Sequence, residues 1–203
     1  MTIPGTPPGS SAPGTPGILG TPGIARPAAT PATHATMAMN PLAVRIIAEG
    51  GFPSAHSVAV AAFEPVFVPV PHFTDDRGWS LMNMLTGVLT TNGQVNFSIM
   101  YPNVIKAWHR HLKQTDFWIV LTGHLKVGIH RESDGRSWLA VLGEKRPGVL
   151  IIPPTLWHGG ATVGSEPAGL LYYVTHAYDP KAPDELRRPY DSITGFPWGT
   201  RHG

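Results

Sequence analysis

From Glu64 onward the chain reads as short apolar segments separated by turn residues. Candidate strands are Val66–Val70, Trp79–Leu85, Val95–Tyr101, Val104–His109, Phe117–Leu121, Leu125–His130, Trp138–Val141, Val149–Ile152 and Leu170–Tyr178. Leu125, Val127 and Ile129 alternate with Lys126, Gly128 and His130, the period of a strand with one buried face. Gly123 and Asp134-Gly135 mark tight turns. Past residue 64 no segment keeps a 3.6-residue apolar period over three turns, and Asp184–Arg188 fits at most one helical turn. Nine or so short strands predict an all-β domain over 64–203, a closed barrel or jelly roll.

The upstream pattern differs. In residues 41–63, Leu42, Val44, Ile46 and Ile47 fit either a short helix or a strand that ends at Gly50-Gly51, so this stretch is expected as a linker or N-terminal arm. Residues 1–40 carry eight prolines, a repeated Thr-Pro-Gly and one charged side chain, Arg26. Such a segment lacks the apolar mass to offset its ordering entropy and is expected as a disordered tail.

Composition narrows the function. Among 203 residues there is no cysteine, which excludes a disulfide scaffold, a zinc ribbon and a thiol nucleophile. Fifteen basic residues against thirteen acidic ones give a formal charge of +2, too balanced for a nucleic-acid partner. No apolar run is long enough to span a bilayer, and the start has neither a basic nor an apolar signal region, so a cytoplasmic protein is expected. The unusual feature of the composition is its ten histidines, and the chemistry gathers around them.

The densest stretch is Trp108-His109-Arg110-His111-Leu112-Lys113-Gln114-Thr115-Asp116. Residues two apart on a strand face the same side, so His109 and His111 are expected to point together into the barrel, with Asp116 opening the next strand. A third imidazole, His158, follows Pro153-Pro154-Thr155-Leu156-Trp157. His109, His111, Asp116 and His158 form an N₃O donor set suited to iron, manganese, nickel, cobalt or zinc, with positions left for substrate. The competing reading makes the imidazoles core residues bonded to backbone carbonyls. Gln114 is expected at the pocket mouth or bonded to a strand end.

These motifs resemble the cupin superfamily. His109-x-His111, Asp116 and Gly123 follow its first motif, and Gly148, Pro153-x-Thr155 and His158 follow its second. The departures are Asp116 for Glu, Thr155 for Gly, Thr162 for the terminal Asn, a missing opening Gly and a spacing one residue shorter after Gly148. The resemblance implies a double-stranded β-helix, the cupin jelly roll. From Phe73 to Trp198 the chain is similar to the dTDP-4-dehydrorhamnose 3,5-epimerases, carried by Phe73-Thr74-Asp75-Asp76-Arg77-Gly78-Trp79, Lys106-Ala107-Trp108-His109, Leu156-Trp157-His158-Gly159, Leu171-Tyr172-Tyr173 and Tyr190-Asp191.

That resemblance implies epimerisation or isomerisation of a nucleotide sugar of the dTDP-4-keto-6-deoxyhexose type, with no cofactor required. It implies His109 as the base that removes a proton next to a ketone, Tyr172 as the acid and Asp191 as the carboxylate orienting the base. It places Arg77, Trp79, Lys106, Gln114 and His158 around the substrate, and a homodimer built on edge strands. Asp116 stands where the family has a lysine near the substrate carbonyl, and an anion there opposes an enolate. Either the substrate differs, or a divalent metal on His109, His111, Asp116 and His158 supplies the positive charge. A metal-dependent cupin enzyme, dioxygenase or isomerase, and a non-catalytic sugar-binding cupin are the alternatives.

Overall fold

In the computed structural model, which describes residues 38–200, the alternating apolar segments close into two six-stranded sheets. The elements in chain order are β1 (Leu42–Ala43), β2 (Arg45–Ile46), α1 (Gly51–Ala62), β3 (Val66–Pro69), β4 (His72–Asp75), β5 (Gly78–Leu81) and β6 (Gln94–Met100). There follow β7 (Ile105–Arg110), β8 (Asp116–Thr122), β9 (His124–His130), β10 (Ser137–Gly143), β11 (Gly148–Ile152), β12 (Trp157–Thr162), β13 (Ala168–Val174) and β14 (Leu186–Arg187). One sheet has the order β1-β10-β9-β12-β7-β14 and the other β2-β3-β11-β8-β13-β6, while β4 and β5 form a separate hairpin. This is the all-β, double-stranded β-helix expected from the strand pattern.

The core lies between the sheets. Leu125, Val127 and Ile129 of β9 meet Trp118 and Val120 of β8 and Leu150 and Ile152 of β11, each nearly inaccessible to solvent. Fully burying one such side chain is worth about 1.5–3 kcal/mol. The second sheet is covered on its other face as well: Phe52, Ala55 and Ala59 of α1 pack on Val66, Val149, Ile151 and Phe117. Burial on both faces explains why Val149–Ile152 is an unbroken apolar run rather than an alternating one. Gly123, at φ +64°, closes the β8–β9 hairpin where an added Cβ would stand 2.4 Å from the Pro167 carbonyl oxygen.

Several local expectations change. Gly50-Gly51 begins a helix rather than ending an element. The signal was weak because the buried stripe consists of one Phe and two Ala, with no side-chain cap and no acidic first turn. The stretch expected as a linker or arm lies against the barrel: β1 runs parallel to β10, β2 parallel to β3, and α1 packs on β3 and β11. The strand expected over Trp79–Leu85 stops at Leu81, and Asn83 and Leu85 take left-handed conformations in the turn that follows. Asp184–Arg188 is not a helical turn, since Leu186 and Arg187 pair with Arg110 and His109 as an edge strand. The expectation of a disordered tail falls outside the described residues except at 38–40, where the Met39 amide donates to the Gly195 carbonyl. Among the described residues no helix is long and apolar enough to cross a membrane.

Candidate active site

Residues of both sheets line a cavity of about 740 Å³, within the size range of small-molecule sites. The β7 and β12 strands place two imidazoles side by side, in an edge-to-face contact, because His109 and His158 are direct partners across the antiparallel pair. Their ring centroids lie 4.2 Å apart, and each lies 5.6 Å from the ring of His111, which follows β7 immediately. The opposite sheet supplies the carboxylate: Asp116 is the first residue of β8. One ligating atom from each of His109, His111, Asp116 and His158 falls within 4.8 Å of the others. Three residues of the stretch 109–116 and one about forty residues later thus converge.

Backbone carbonyls fix how two of these rings are presented. The Nδ1 of His158 lies 2.9 Å from the Leu156 carbonyl oxygen, and the Nδ1 of His111 bonds to the Asp184 carbonyl. A carbonyl only accepts, so Nδ1 carries the hydrogen in both and Nε2 is the atom turned to the cluster. The Nε2 of His158 is buried, has no hydrogen-bond partner, and stands 3.4 Å from Asp116 Oδ2. The two carbonyl bonds expected of core histidines are therefore present, yet they aim the other nitrogen at a common point.

Asp116 is buried but not bare. Gln114 Nε2 donates to its Oδ1 at 2.8 Å and Trp118 Nε1 to its Oδ2 at 3.1 Å. Burial works to raise its pKa, and the three imidazoles around it, His158 foremost, more than offset it, to about 2. Burial, followed by the neighbouring His158, holds His109 well below the usual histidine value. His109 is stacked on Trp118 at 6.0 Å. On the far wall, β13 turns Tyr172 to the cavity and Tyr173 away, where the Tyr173 hydroxyl accepts from the Thr90 amide at 3.0 Å. Burial, then the charges of Asp116 and Glu185, push the Tyr172 phenol above its ordinary value.

Of the residues singled out from sequence, His109, His111, Lys106, Gln114, Asp116 and Tyr172 line this cavity, and His158 stands behind His109 at 2% exposure. Three lie elsewhere. Arg77 and Trp79 sit on the β4–β5 hairpin, where the Arg77 side chain is 85% exposed and pairs with Asp75, and the Trp79 ring packs on His72. Asp191 is exposed in the turn after Tyr190, and among the described residues no hydrogen bond joins it to His109. The carboxylate beside the imidazoles is Asp116.

Sequence reasoning passed over other lining residues. Gln94, Asn96 and Ser98 form a polar row on β6 facing the cavity, while Val95, Phe97 and Ile99 face out. That inverted alternation, apolar outside and polar inside, was the available signal. Glu185 and Arg187 also line the cavity, although 181–188 reads as a solvated face. The segment is held there by Asp184, whose Oδ1 accepts from the Leu112 amide at 2.9 Å and whose Oδ2 accepts from those of Lys113 and Gln114 at 2.9 and 3.2 Å. Partial burial works to raise the Asp184 pKa, and these three donors bring it below the carboxylate range.

Comparison with known proteins agrees with this architecture. Residues 73–186 match the family described as "Polysaccharide biosynthesis C-terminal domain". The spore coat polysaccharide biosynthesis protein SpsL of Bacillus subtilis is 38% identical over 135 residues, covering 63% of this chain and 89% of that protein. The probable low-salt glycan biosynthesis epimerase Agl13 of Haloferax volcanii is 41% identical over 101 residues, 47% of this chain and 65% of its own length. Among solved structures, a dTDP sugar isomerase from Desulfovibrio desulfuricans superposes with a TM-score of 0.59 at 24% identity, covering 66% of this chain and 90% of the other, which establishes a shared fold. With its histidine-lined cavity inside that fold, the chain belongs to the polysaccharide biosynthesis C-terminal domain family.

Proposed function

We propose that the protein is a nucleotide-sugar epimerase or isomerase that removes a proton next to a ketone, on a substrate of the 4-keto-6-deoxyhexose type. The observation that carries this is the placement of His109 and Tyr172 in the lining of one cavity, an imidazole and a phenol suited to act as base and acid. A histidine of lowered pKa is unprotonated at neutral pH and ready to accept a proton. A phenol of raised pKa keeps its proton and can deliver it. Two titratable groups separated in this way mark a base and an acid. The likeness to Agl13, a probable epimerase, and to the superposed dTDP sugar isomerase supports the same class.

The rest of the cavity suits such a substrate. Gln94, Asn96 and Ser98 offer hydrogen-bond donors and acceptors to hydroxyl groups, and Lys106 and Arg187 offer positive charge to a diphosphate. His109, fixed by stacking on Trp118, takes the proton from the carbon beside the ketone; Tyr172 returns one to that carbon, inverting it when the two act from opposite faces. Asp116 keeps Gln114, Trp118 and His158 in place beneath them. Incubating purified protein with a panel of 4-keto-6-deoxy nucleotide sugars, with products resolved by NMR, tests this. Stereochemical inversion is expected, and failure on every member of the panel removes the reading.

A second reading has its own observation. One ring nitrogen from each of His109, His111 and His158 and an oxygen of the Asp116 carboxylate lie within 4.8 Å of one another, and the His158 Nε2 is buried without a hydrogen-bond partner. This donor set fits a divalent transition metal. When bound, such an ion would supply positive charge to a developing oxyanion, the role left open by the absence of a lysine at position 116. His109 would then be a ligand, and the proton acceptor another cavity group. Elemental analysis of wild type beside Asp116→Ala separates the readings: metal lost in the variant assigns the ligand, and metal absent from both, after reconstitution, removes this alternative.

The same proposal includes a cytoplasmic homodimer. β6 is an edge strand whose outer face exposes Val95, Phe97 and Ile99, with Tyr101 exposed just past its end; Phe97 is 57% and Tyr101 69% accessible. An uncovered apolar edge is a liability that pairing with a second copy removes.

A further inference from the structure

We propose that Asp184 is a positioning residue of the cavity, whose carboxylate clasps loop 112–114 to segment 184–188 so that His111 presents Nε2 to the site. The inference rests on reading that cavity as the active site. Three successive backbone amides, of Leu112, Lys113 and Gln114, converge on this single carboxylate. Charge-assisted bonds of this kind are roughly twice as strong as neutral ones, and three together define the loop's place. The carbonyl of the same residue accepts from His111 Nδ1. Asp184 therefore holds the imidazole through its main chain and the three residues after it through its side chain.

The clasp reaches further into the site. Immediately after Asp184, Glu185 and Arg187 line the cavity, and Arg187 pairs with His109 across β14 and β7. Gln114, the last of the three clasped residues, donates to Asp116. One residue, through its carbonyl and its carboxylate together, thus fixes His111, the anchor of Asp116 and the segment carrying two lining charges. His158 provides an internal contrast. Its Nδ1 bonds to Leu156, two residues earlier in its own segment, and owes nothing to Asp184.

Long-range ¹⁵N–¹H NMR of the full chain, in wild type, Asp184→Ala and Asp184→Asn, reads the tautomer of each histidine. In wild type His111 and His158 are each expected in the Nδ1–H form. In both variants His111 is expected to become a mixture with the Nε2–H form while His158 is unchanged. Turnover of a sugar nucleotide should fall about ten- to a hundredfold in kcat, as for a displaced active-site group, with KM moving less. A folded variant in which His111 keeps the wild-type tautomer overturns the proposal. If Asp184→Ala loses its near-UV circular dichroism, Asp184→Asn, which retains volume and one acceptor oxygen, decides. Loss of structure in both makes Asp184 a fold residue and also overturns it. Absence of turnover in wild type counts against the sugar-nucleotide reading alone, and the tautomers still decide the role of Asp184.

Discussion

Replacing Asp116 by asparagine should destabilise the protein by about 2–3 kcal/mol at neutral pH, and the penalty should vanish in acid. The side chain accepts from Gln114 Nε2 and Trp118 Nε1 and lies against His158, with Asp116, Trp118 and His158 themselves buried. An asparagine keeps one acceptor oxygen but turns an NH₂ group toward donors, leaving buried N–H groups unpaired at a cost of about 1–3 kcal/mol. A second route gives a similar figure. The drop from an ordinary 3.8 to about 2 corresponds to about 2 kcal/mol of folding stability held by the carboxylate. Because the folded pKa is the lower one, that stability is fully present above the unfolded value and is lost as pH falls through the folded value. The wild-type advantage over Asp116→Asn should thus shrink below about pH 4 and be gone near pH 2. At neutral pH the midpoint of thermal unfolding should drop by roughly 5–10 °C for a chain of this size. Calorimetry and urea titration across this range, with a chelator throughout, measure it. Equal stability at neutral pH, or a penalty that does not change with pH, would refute the reasoning.

Other consequences are as direct. Tyr172→Phe should lower turnover by about 10²–10⁴-fold while leaving the melting temperature within a degree or two, since only a hydroxyl facing the cavity is lost; steady-state kinetics and calorimetry check it. Gly159→Ala should break the pairing of β12 with β7, because the new Cβ would stand 2.4 Å from that of Ala107 and 2.6 Å from the Lys106 carbonyl oxygen; a fold unchanged by circular dichroism and by melting would contradict this. Phe97→Glu, on the exposed face of β6, should shift the protein to a monomer in sedimentation, and a wild type that already sediments as a monomer at micromolar concentration would remove the dimer.

How much was legible in the chain follows from where the physical signal lay. The sheets were readable because one-sided burial imposes alternation, as on Leu125, Val127 and Ile129, and double burial imposes a run, as on Val149–Ile152. The four-residue cluster was readable because strand geometry turns His109-x-His111 into a shared direction. What stayed hidden depends on partners distant in sequence. Nothing local to Asp184 announces that its carboxylate meets the amides of 112–114, seventy or so residues earlier. The helix at 51–62 escaped notice because alanines make its buried stripe, and Asp191 drew attention through a motif although its side chain ends in solvent. The hairpin carrying Arg77 and Trp79 matched in sequence, but these two side chains line a separate surface depression and not the cavity.

The central claim is that His109 takes a proton from the carbon beside a substrate ketone. Incubation in heavy water with a 4-keto-6-deoxy nucleotide sugar, followed by NMR and mass spectrometry, addresses it directly. The account predicts deuterium at that carbon with wild type and its loss by at least two orders of magnitude with His109→Asn. Product formed without deuterium incorporation, or incorporation that survives in His109→Asn, would contradict it.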